Sequence, residues 1–195
     1  LSAIAERCAV HYDELGEMIE NHDHEEFTDL THWGGNWITT RRYHNLEAMQ
    51  SIYQSIADVA GVSTEEAEAF LLQIEMVGFD EMIIADNTIT YVDGSESLAC
   101  EYVLTGNEVA HFADIPFGTW YLLETSTVGC DPYQHVVLTP FHTGDFGDVP
   151  NFHLRYGNTS FDELINGAEN RVWFATVGPE ELTEQVYLDS YSNGV

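Results

Sequence analysis

The chain has 195 residues, of which 44% are hydrophobic and 12% aromatic, enough for one globular domain with a full core. Its 34 acidic residues stand against five arginines and no lysine, so the formal net charge is −29. Such a surface repels nucleic acid and anionic membranes and attracts cations. No run of 18 apolar residues occurs, so no transmembrane helix or membrane insertion is predicted. The acids are scattered along the chain and also suit solubility or high salt, so charge alone does not identify a function.

Three helices are predicted in the first 78 residues. Apolar residues recur at helical spacing over residues 3–20 and again over residues 44–59. A third helix is expected after Ser63, which forms a capping box with Glu66, and Gly78 is expected to end it.

Between the first two helices, the segment "HWGGNWITT" favours a first strand. The glycines between Trp33 and Trp37 suit a tight entry into it, and both indole rings are expected in the core. Arg41 and Arg42 follow directly and are expected to pair with surface carboxylates.

From residue 81 onward the pattern changes to short β-rich runs. The turn signals "ADN", "DGSE", "TGN" and "PFG" separate these runs, a succession typical of a barrel or sandwich. After the strands, Ser160 and Glu163 form a capping box that begins a short helix ending at Gly167. A last helix is expected to start at Pro179.

The three cysteines do not form a metal-binding or redox motif. No Cys-x-x-Cys pair occurs among Cys8, Cys100 and Cys130. Cys100 and Cys130 fall in neighbouring strand-like regions, where either a disulfide or buried free thiols would fit.

Two histidines, His142 and His153, flank a loop rich in glycine and aspartate. If the segments that carry them pair as neighbouring strands, their imidazoles face each other, and Asn151 shares a face with His153. Imidazoles from adjacent strands can supply most of a tetrahedral zinc site. The alternative is that both are ordinary barrel residues, each hydrogen-bonded to a carbonyl or carboxylate.

The run from His142 through "NFHLRYGNTS" resembles the signature of the ZinT (YodA-type) zinc-binding family, in which a first histidine precedes a His-x-His pair and a Gly-Asn-Thr-Ser segment. The segments "HWGGNW", "SLACEYVLTG" and "GTWYLLE" resemble further parts of that family. The resemblance implies a mainly β, lipocalin-like (calycin) antiparallel barrel, preceded by N-terminal helices and followed by short C-terminal helices. It places the barrel domain at residues 31–195, after an N-terminal helix and acidic connector at residues 1–30.

The resemblance also implies a function. Proteins of this family bind zinc or a similar divalent cation outside the cytoplasm, for delivery to a zinc-uptake transporter component. Carried over residue by residue, the three ligand positions fall on His142, Asn151 and His153, so the middle histidine is replaced. An amide oxygen is a harder ligand than imidazole, and the replacement is expected to weaken binding of transition metals.

Several other groups could complete the shell. Asp145 or Asp148 in the loop, a water molecule, or a histidine distant in sequence such as His32 could replace the missing ligand. The segment "NHDHEE", with His22 and His24, is either an auxiliary metal-gathering tract or a solvated linker.

The leading hypothesis is a metal-binding domain whose barrel opens over His142 and His153. The competing hypothesis is a lipocalin-like barrel that binds a small apolar ligand and whose metal site has degenerated. Hydrolysis, with Asp145 or Asp148 as the base, is disfavoured because the sequence contains no nucleophile elbow and no His-Glu-x-x-His. The chain is therefore predicted not to be an enzyme.

Overall fold

The computed structural model describes residues 27–112 and 115–192. The helix predicted over residues 3–20 lies outside this part of the chain, and so do His22 and His24.

Nine antiparallel strands make up the sheet of the described residues. They are β1 (Gly35–Thr39), β2 (Glu81–Ala85), β3 (Thr88–Asp93), β4 (Glu96–Phe112), β5 (Ile115–Thr125), β6 (His135–Leu138), β7 (His142–Gly144), β8 (Gly147–Gly157) and β9 (Ala175–Gly178). The order β6-β5-β4-β3-β2-β1-β9-β8 is closed by pairing of β6 with β8, and β7 pairs with the start of β8. The predicted lipocalin-like barrel is confirmed.

Short helices accompany the barrel. Two 3-10 helices, Leu30–Trp33 and Thr40–Tyr43, flank β1, and the α-helices are α1 (Met49–Ala60), α2 (Thr64–Glu75), α3 (Phe161–Asn166) and α4 (Glu184–Ser192). Within the described ranges, no helix combines the length and apolar character needed to cross a bilayer.

The capping box before α2 is confirmed, but the predicted end of that helix is wrong. The Ser63 hydroxyl accepts from the Glu66 amide, and the Glu66 carboxylate accepts from the Ser63 amide. Extended backbone at Met76 already ends the helix, before Gly78 is reached. The amide of Gly78 instead donates to the Tyr156 hydroxyl, at 2.7 Å.

The helices after the barrel also differ in detail from expectation. Ser160 caps α3 and Gly167 ends it, as predicted. The last helix does not start at Pro179, because the Pro179 carbonyl first accepts from the Leu182 amide in a turn. The Thr183 hydroxyl then accepts from the Val186 amide, and α4 begins five residues later than expected.

Two of the four turn signals lie within strands. "ADN" and "DGSE" mark the turns that join β2 to β3 and β3 to β4, but "TGN" lies inside β4 and "PFG" inside β5. The register shifts between Leu104 and Gly106, so a β-bulge accommodates the glycine and the strand continues.

One face of every barrel strand contributes to a single apolar cluster. On most strands the contributing residues are two apart, such as Met82 and Ile84 on β2 or Phe152 and Leu154 on β8. Because the sheet is closed, this cluster is the barrel interior. Trp33 and Trp37 belong to it, as predicted, and its close packing of aliphatic and aromatic side chains disfavours the hypothesis of an apolar ligand.

A second apolar layer lies between the outer face of the barrel and the helices. Strand residues such as Trp120 and Val137 pack there with Met49 and Tyr53 of α1 and with Phe70 of α2. The barrel wall thus separates two cores, and side chains on alternate positions of one strand enter different cores.

A disulfide and two surface ion pairs join separate segments of the chain. Cys100 and Cys130 form a disulfide, which decides between the two alternatives left open by the sequence. Arg41 pairs with Asp93 at 3.2 Å and Arg42 with Glu81 at 3.3 Å, so the predicted surface ion pairs are confirmed.

Candidate metal centre

A tight hairpin carries the histidine-flanked loop. Strands β7 and β8 are joined by a two-residue turn, Asp145 and Phe146, between the paired residues Gly144 and Gly147. Gly147 has a φ of 64° and Gly144 a φ of 123°, which glycine adopts without the steric penalty of other residues. The sequence "GDFG" therefore specifies this turn.

Phe146 anchors the turn to the helical layer. Its side chain is buried in the outer core, and its ring centroid lies 6.0 Å from that of Tyr187 in α4. With Phe146 packed in this way, the Asp145 carboxylate bends back over the hairpin towards the histidines.

The Asp145 carboxylate meets both imidazoles. Its Oδ2 atom lies 3.0 Å from Nε2 of His142 and 3.4 Å from Nε2 of His153. One ligand atom from each of the three residues falls within 4.8 Å of the others. Ligand atoms about 2.1 Å from a tetrahedral zinc ion are roughly 3.4 Å apart, so the spacing suits such an ion.

The second nitrogen of each imidazole faces an oxygen atom. Nδ1 of His142 lies 3.4 Å from the Pro140 carbonyl, and Nδ1 of His153 lies 3.1 Å from the Thr176 hydroxyl. Thr176 itself donates to the Phe174 carbonyl, which leaves its oxygen to accept from His153. This pattern favours protonation at Nδ1, so each Nε2 can give its lone pair to a metal once the proton that it shares with Asp145 is released.

The charges of the three groups are coupled. Burial by itself would raise the pKa of Asp145, but hydrogen bonds from the two histidines outweigh it and hold that pKa well below its usual range. Burial opposes protonation of His142, yet the hydrogen bond and charge of Asp145 raise its pKa. Burial, together with the charge of His142, lowers the pKa of His153. The cluster is thus an anionic carboxylate held between one imidazole that protonates readily and one that does not.

Asn151 lies beside the cluster. It pairs with His142 across the β7–β8 ladder and precedes His153 by two positions, so all three side chains leave the same face of the hairpin. Asn151 is completely buried, and within the described part of the chain neither its Oδ1 nor its Nδ2 has a hydrogen-bond partner. A buried amide without partners is uncommon and calls for a ligand or an ion.

The centre lies on the outside of the barrel wall, and the prediction that the barrel mouth opens over the histidines is wrong. The imidazole of His153 packs edge-on against Phe174, a residue of the outer core, with ring centroids 5.4 Å apart. Its neighbours Phe152 and Leu154 point into the barrel instead. The alternation of β8 places the odd-numbered residues outside, which a sequence pattern cannot assign to one side or the other.

Of the side chains that the sequence offered to complete the shell, one lies beside His142 and His153. Asp145 joins the two histidines, whereas Asp148 is exposed at the start of β8 and outside the cluster. His32 stacks on Phe27, with ring centroids 3.8 Å apart, and is likewise not part of the cluster.

Sequence reasoning missed the residues that hold the ligands in place. Besides Thr176 and Phe174, these include Thr139, whose hydroxyl accepts from the His153 amide at 2.8 Å. No signal in a single sequence identifies them, because Thr139 and the segment that carries Phe174 and Thr176 are far from His142 and His153 along the chain or face them only once the barrel has closed.

A second buried polar network adjoins the helical layer. The Glu75 carboxylate lies 3.2 Å from His44 and accepts from the Tyr187 hydroxyl at 2.9 Å and from the Tyr191 hydroxyl. Its charge also raises the pKa of His153, the smallest of several effects on that group. The network ties α2 to α4, the helix on which Phe146 rests.

The family model described as "ZinT (YodA) periplasmic lipocalin-like zinc-recruitment" matches residues 17–188. The zinc-binding lipoprotein AdcA of Streptococcus pneumoniae, from two strains, is 21% identical over 157 residues, or 80% of this chain. The chain spans 30% of the length of these curated relatives.

Solved structures show the same fold. The Zn(II)-bound ZinT-like domain of Streptococcus pneumoniae AdcA matches with a TM-score of 0.63 and 19% identity, over 87% of this chain and 94% of that one. Zn(II)-bound AdcA from the same organism matches with a TM-score of 0.66 and 18% identity, over 87% of this chain and 37% of that one.

Proposed function

The chain belongs to the ZinT (YodA) family of periplasmic lipocalin-like zinc-recruitment domains, and we propose that it binds zinc reversibly outside the cytoplasm for transfer to a zinc-uptake system. In this proposal His142, Asp145 and His153 hold the ion. A bound zinc ion would supply a dication that compensates the buried carboxylate and accepts both imidazole lone pairs.

The observation that carries the proposal is the convergence of two Nε2 atoms on one carboxylate oxygen, at 3.0 and 3.4 Å. Each imidazole is held by its other nitrogen, which fixes ring orientation before an ion arrives. Two nitrogens and a carboxylate oxygen are a competent zinc donor set.

Two further features support recruitment outside the cytoplasm. A formal charge of −29 concentrates cations around the protein before they reach the site. The disulfide between Cys100 and Cys130 is typical of oxidising, extracytoplasmic compartments.

We further propose that the site binds without catalysing. Zinc with three protein ligands could activate water, but hydrolysis also needs a base in reach. Asp145 is held between the two imidazoles, and within the described residues the cluster contains no further carboxylate or histidine.

The test is a zinc titration by calorimetry on metal-stripped protein, with excess calcium to occupy surface carboxylates. Wild type is expected to bind one zinc ion, and the His142→Ala/His153→Ala double variant is expected to lose that binding. A matched control, His111→Ala/His135→Ala, removes two histidines outside the cluster and should bind like wild type. Equal binding by all three proteins would refute the proposed site.

A further inference from the structure

Asn151 lies beside the proposed metal ligands, and a site made of three ligands does not explain why its side chain is buried. Its side chain is fully buried, and both polar atoms are without hydrogen-bond partners among the described residues. Burial of an amide without partners is unfavourable, so an apolar side chain of the same size would be the more stable choice at this position.

The position of Asn151 directs it to the metal centre. Asn151 is the direct cross-strand partner of His142 and lies two residues before His153 on the same face of β8. Its amide therefore leaves the ladder next to both imidazoles, on the side of the hairpin to which Asp145 returns.

An amide oxygen among the ligands changes which metal ions such a site prefers. Imidazole favours zinc, copper and nickel, whereas carboxylate and carbonyl oxygens suit harder ions such as manganese. We propose that Asn151 supplies an amide oxygen to the metal, so that the site offers two nitrogen and two oxygen donors and accepts Mn²⁺ as well as Zn²⁺. This inference rests on the proposed metal-binding function and assigns the fourth donor and the class of ion.

The experiment compares wild type with Asn151→His and Asn151→Leu, each stripped of metal and titrated with Zn²⁺ alone and with Mn²⁺ alone. Calorimetry measures zinc binding, and the electron paramagnetic resonance signal of free Mn²⁺ measures manganese binding. Asn151→His is expected to raise the ratio of zinc to manganese affinity by at least about tenfold, because imidazole replaces an oxygen donor.

Asn151→Leu distinguishes a ligand from a structural residue. Leucine has nearly the same shape without polar atoms, so the metal-free variant should unfold at the same temperature as wild type or higher. Its affinity for Mn²⁺ should nevertheless fall at least about tenfold. Asn107→Leu, the same change at an exposed position of β4, serves as the control and should bind both ions like wild type.

The outcomes separate this inference from the proposed function. If wild type binds zinc and Asn151→Leu binds both ions as tightly as wild type does, the proposed role of Asn151 is overturned and the three-ligand site stands. Wild type that binds neither ion would overturn both. A variant Asn151→Leu that unfolds at a lower temperature and keeps its metal affinity would show a purely structural asparagine and likewise overturn the inference.

Discussion

Phe146 and Tyr187 pack with their ring centroids 6.0 Å apart, so the turn that presents Asp145 rests on the last helix. Tyr187 in turn donates to Glu75 of α2, at 2.9 Å. The metal centre is therefore supported from the helical layer, although none of its three proposed ligands lies on a helix.

Loosening this contact should weaken metal binding without removing a ligand. Phe146→Ala is expected to lower zinc affinity by roughly 10- to 100-fold, because Asp145 would no longer be held over the histidines. Calorimetric titration measures the change. Phe146→Leu keeps most of the buried volume and should recover most of the affinity. Equal affinity of Phe146→Ala and wild type would mean that the turn needs no anchor.

Zinc affinity should fall as the solution is acidified. A proton and a zinc ion compete for Nε2 of His142, and Asp145 raises the pKa of this histidine, so competition begins at a higher pH than for an ordinary histidine. Apparent dissociation constants measured from about pH 8 to about pH 5 should rise towards the acid end. In Asp145→Asn the onset should shift to lower pH, because the charge that favours the proton is gone. An affinity independent of pH would exclude the histidines as ligands.

Glu75 should contribute to the resistance of the fold to acid. Burial would raise the pKa of Glu75, but the hydrogen bond and charge of His44 and the hydrogen bond from Tyr191 outweigh it and lower the pKa. A carboxyl whose pKa is lower in the folded state stabilises the protein at pH values above its pKa in the unfolded chain, which is near 4.5. This stabilisation is lost as the pH falls through the lower pKa of the folded state.

Glu75→Gln is therefore expected to lower the free energy of unfolding at neutral pH by about 1–3 kcal/mol and to flatten its fall in acid. Urea unfolding at pH values above and below 4.5 provides the measurement. Glu65→Gln, an exposed position on the same helix, should leave both quantities nearly unchanged. If the free energy of unfolding of Glu75→Gln falls in acid as steeply as that of wild type, the lowered pKa of Glu75 is not a source of acid resistance.

Removing the disulfide should reduce stability and leave the metal centre intact. Cys100 and Cys130 are 30 residues apart, and closing a loop of that length is worth about 3.6 kcal/mol in the chain-entropy description. Cys100→Ala/Cys130→Ala should lose roughly that free energy of unfolding, as measured in urea. Its zinc affinity should equal that of wild type, since Cys100 points into the barrel interior and the proposed metal ligands lie on the outer face. A large loss of affinity would show coupling between the two cores.

The short strands and turn signals predicted a barrel or a sandwich from local properties of the sequence, and the resemblance to the ZinT family implied the lipocalin-like barrel and the metal-binding role of His142 and His153. The sequence left open which of Asp145, Asp148 and His32 would join the histidines, since that depends on where a turn bends. The anchoring of the turn by Phe146 explains the outcome, and this contact joins the β7–β8 turn to α4, which is distant along the chain.

The sequence also could not assign the side of the barrel wall on which His153 lies. Period-two alternation identifies residues that share a face, but both faces of this wall are buried, so burial patterns give no sign of inside or outside. Helix ends were misplaced for a related reason. Met76 ends α2 with ordinary extended backbone, and Thr183 begins α4 after an extra turn, neither of which requires a glycine or a proline.

All three proposed ligands and Asn151 belong to a single β-hairpin, the one formed by β7 and β8. Substitutions and small insertions in this hairpin can therefore exchange one donor for another without altering the strand pairings that close the barrel. Metal preference in such a protein can diverge quickly between descendants, while the architecture that orients the donors changes slowly.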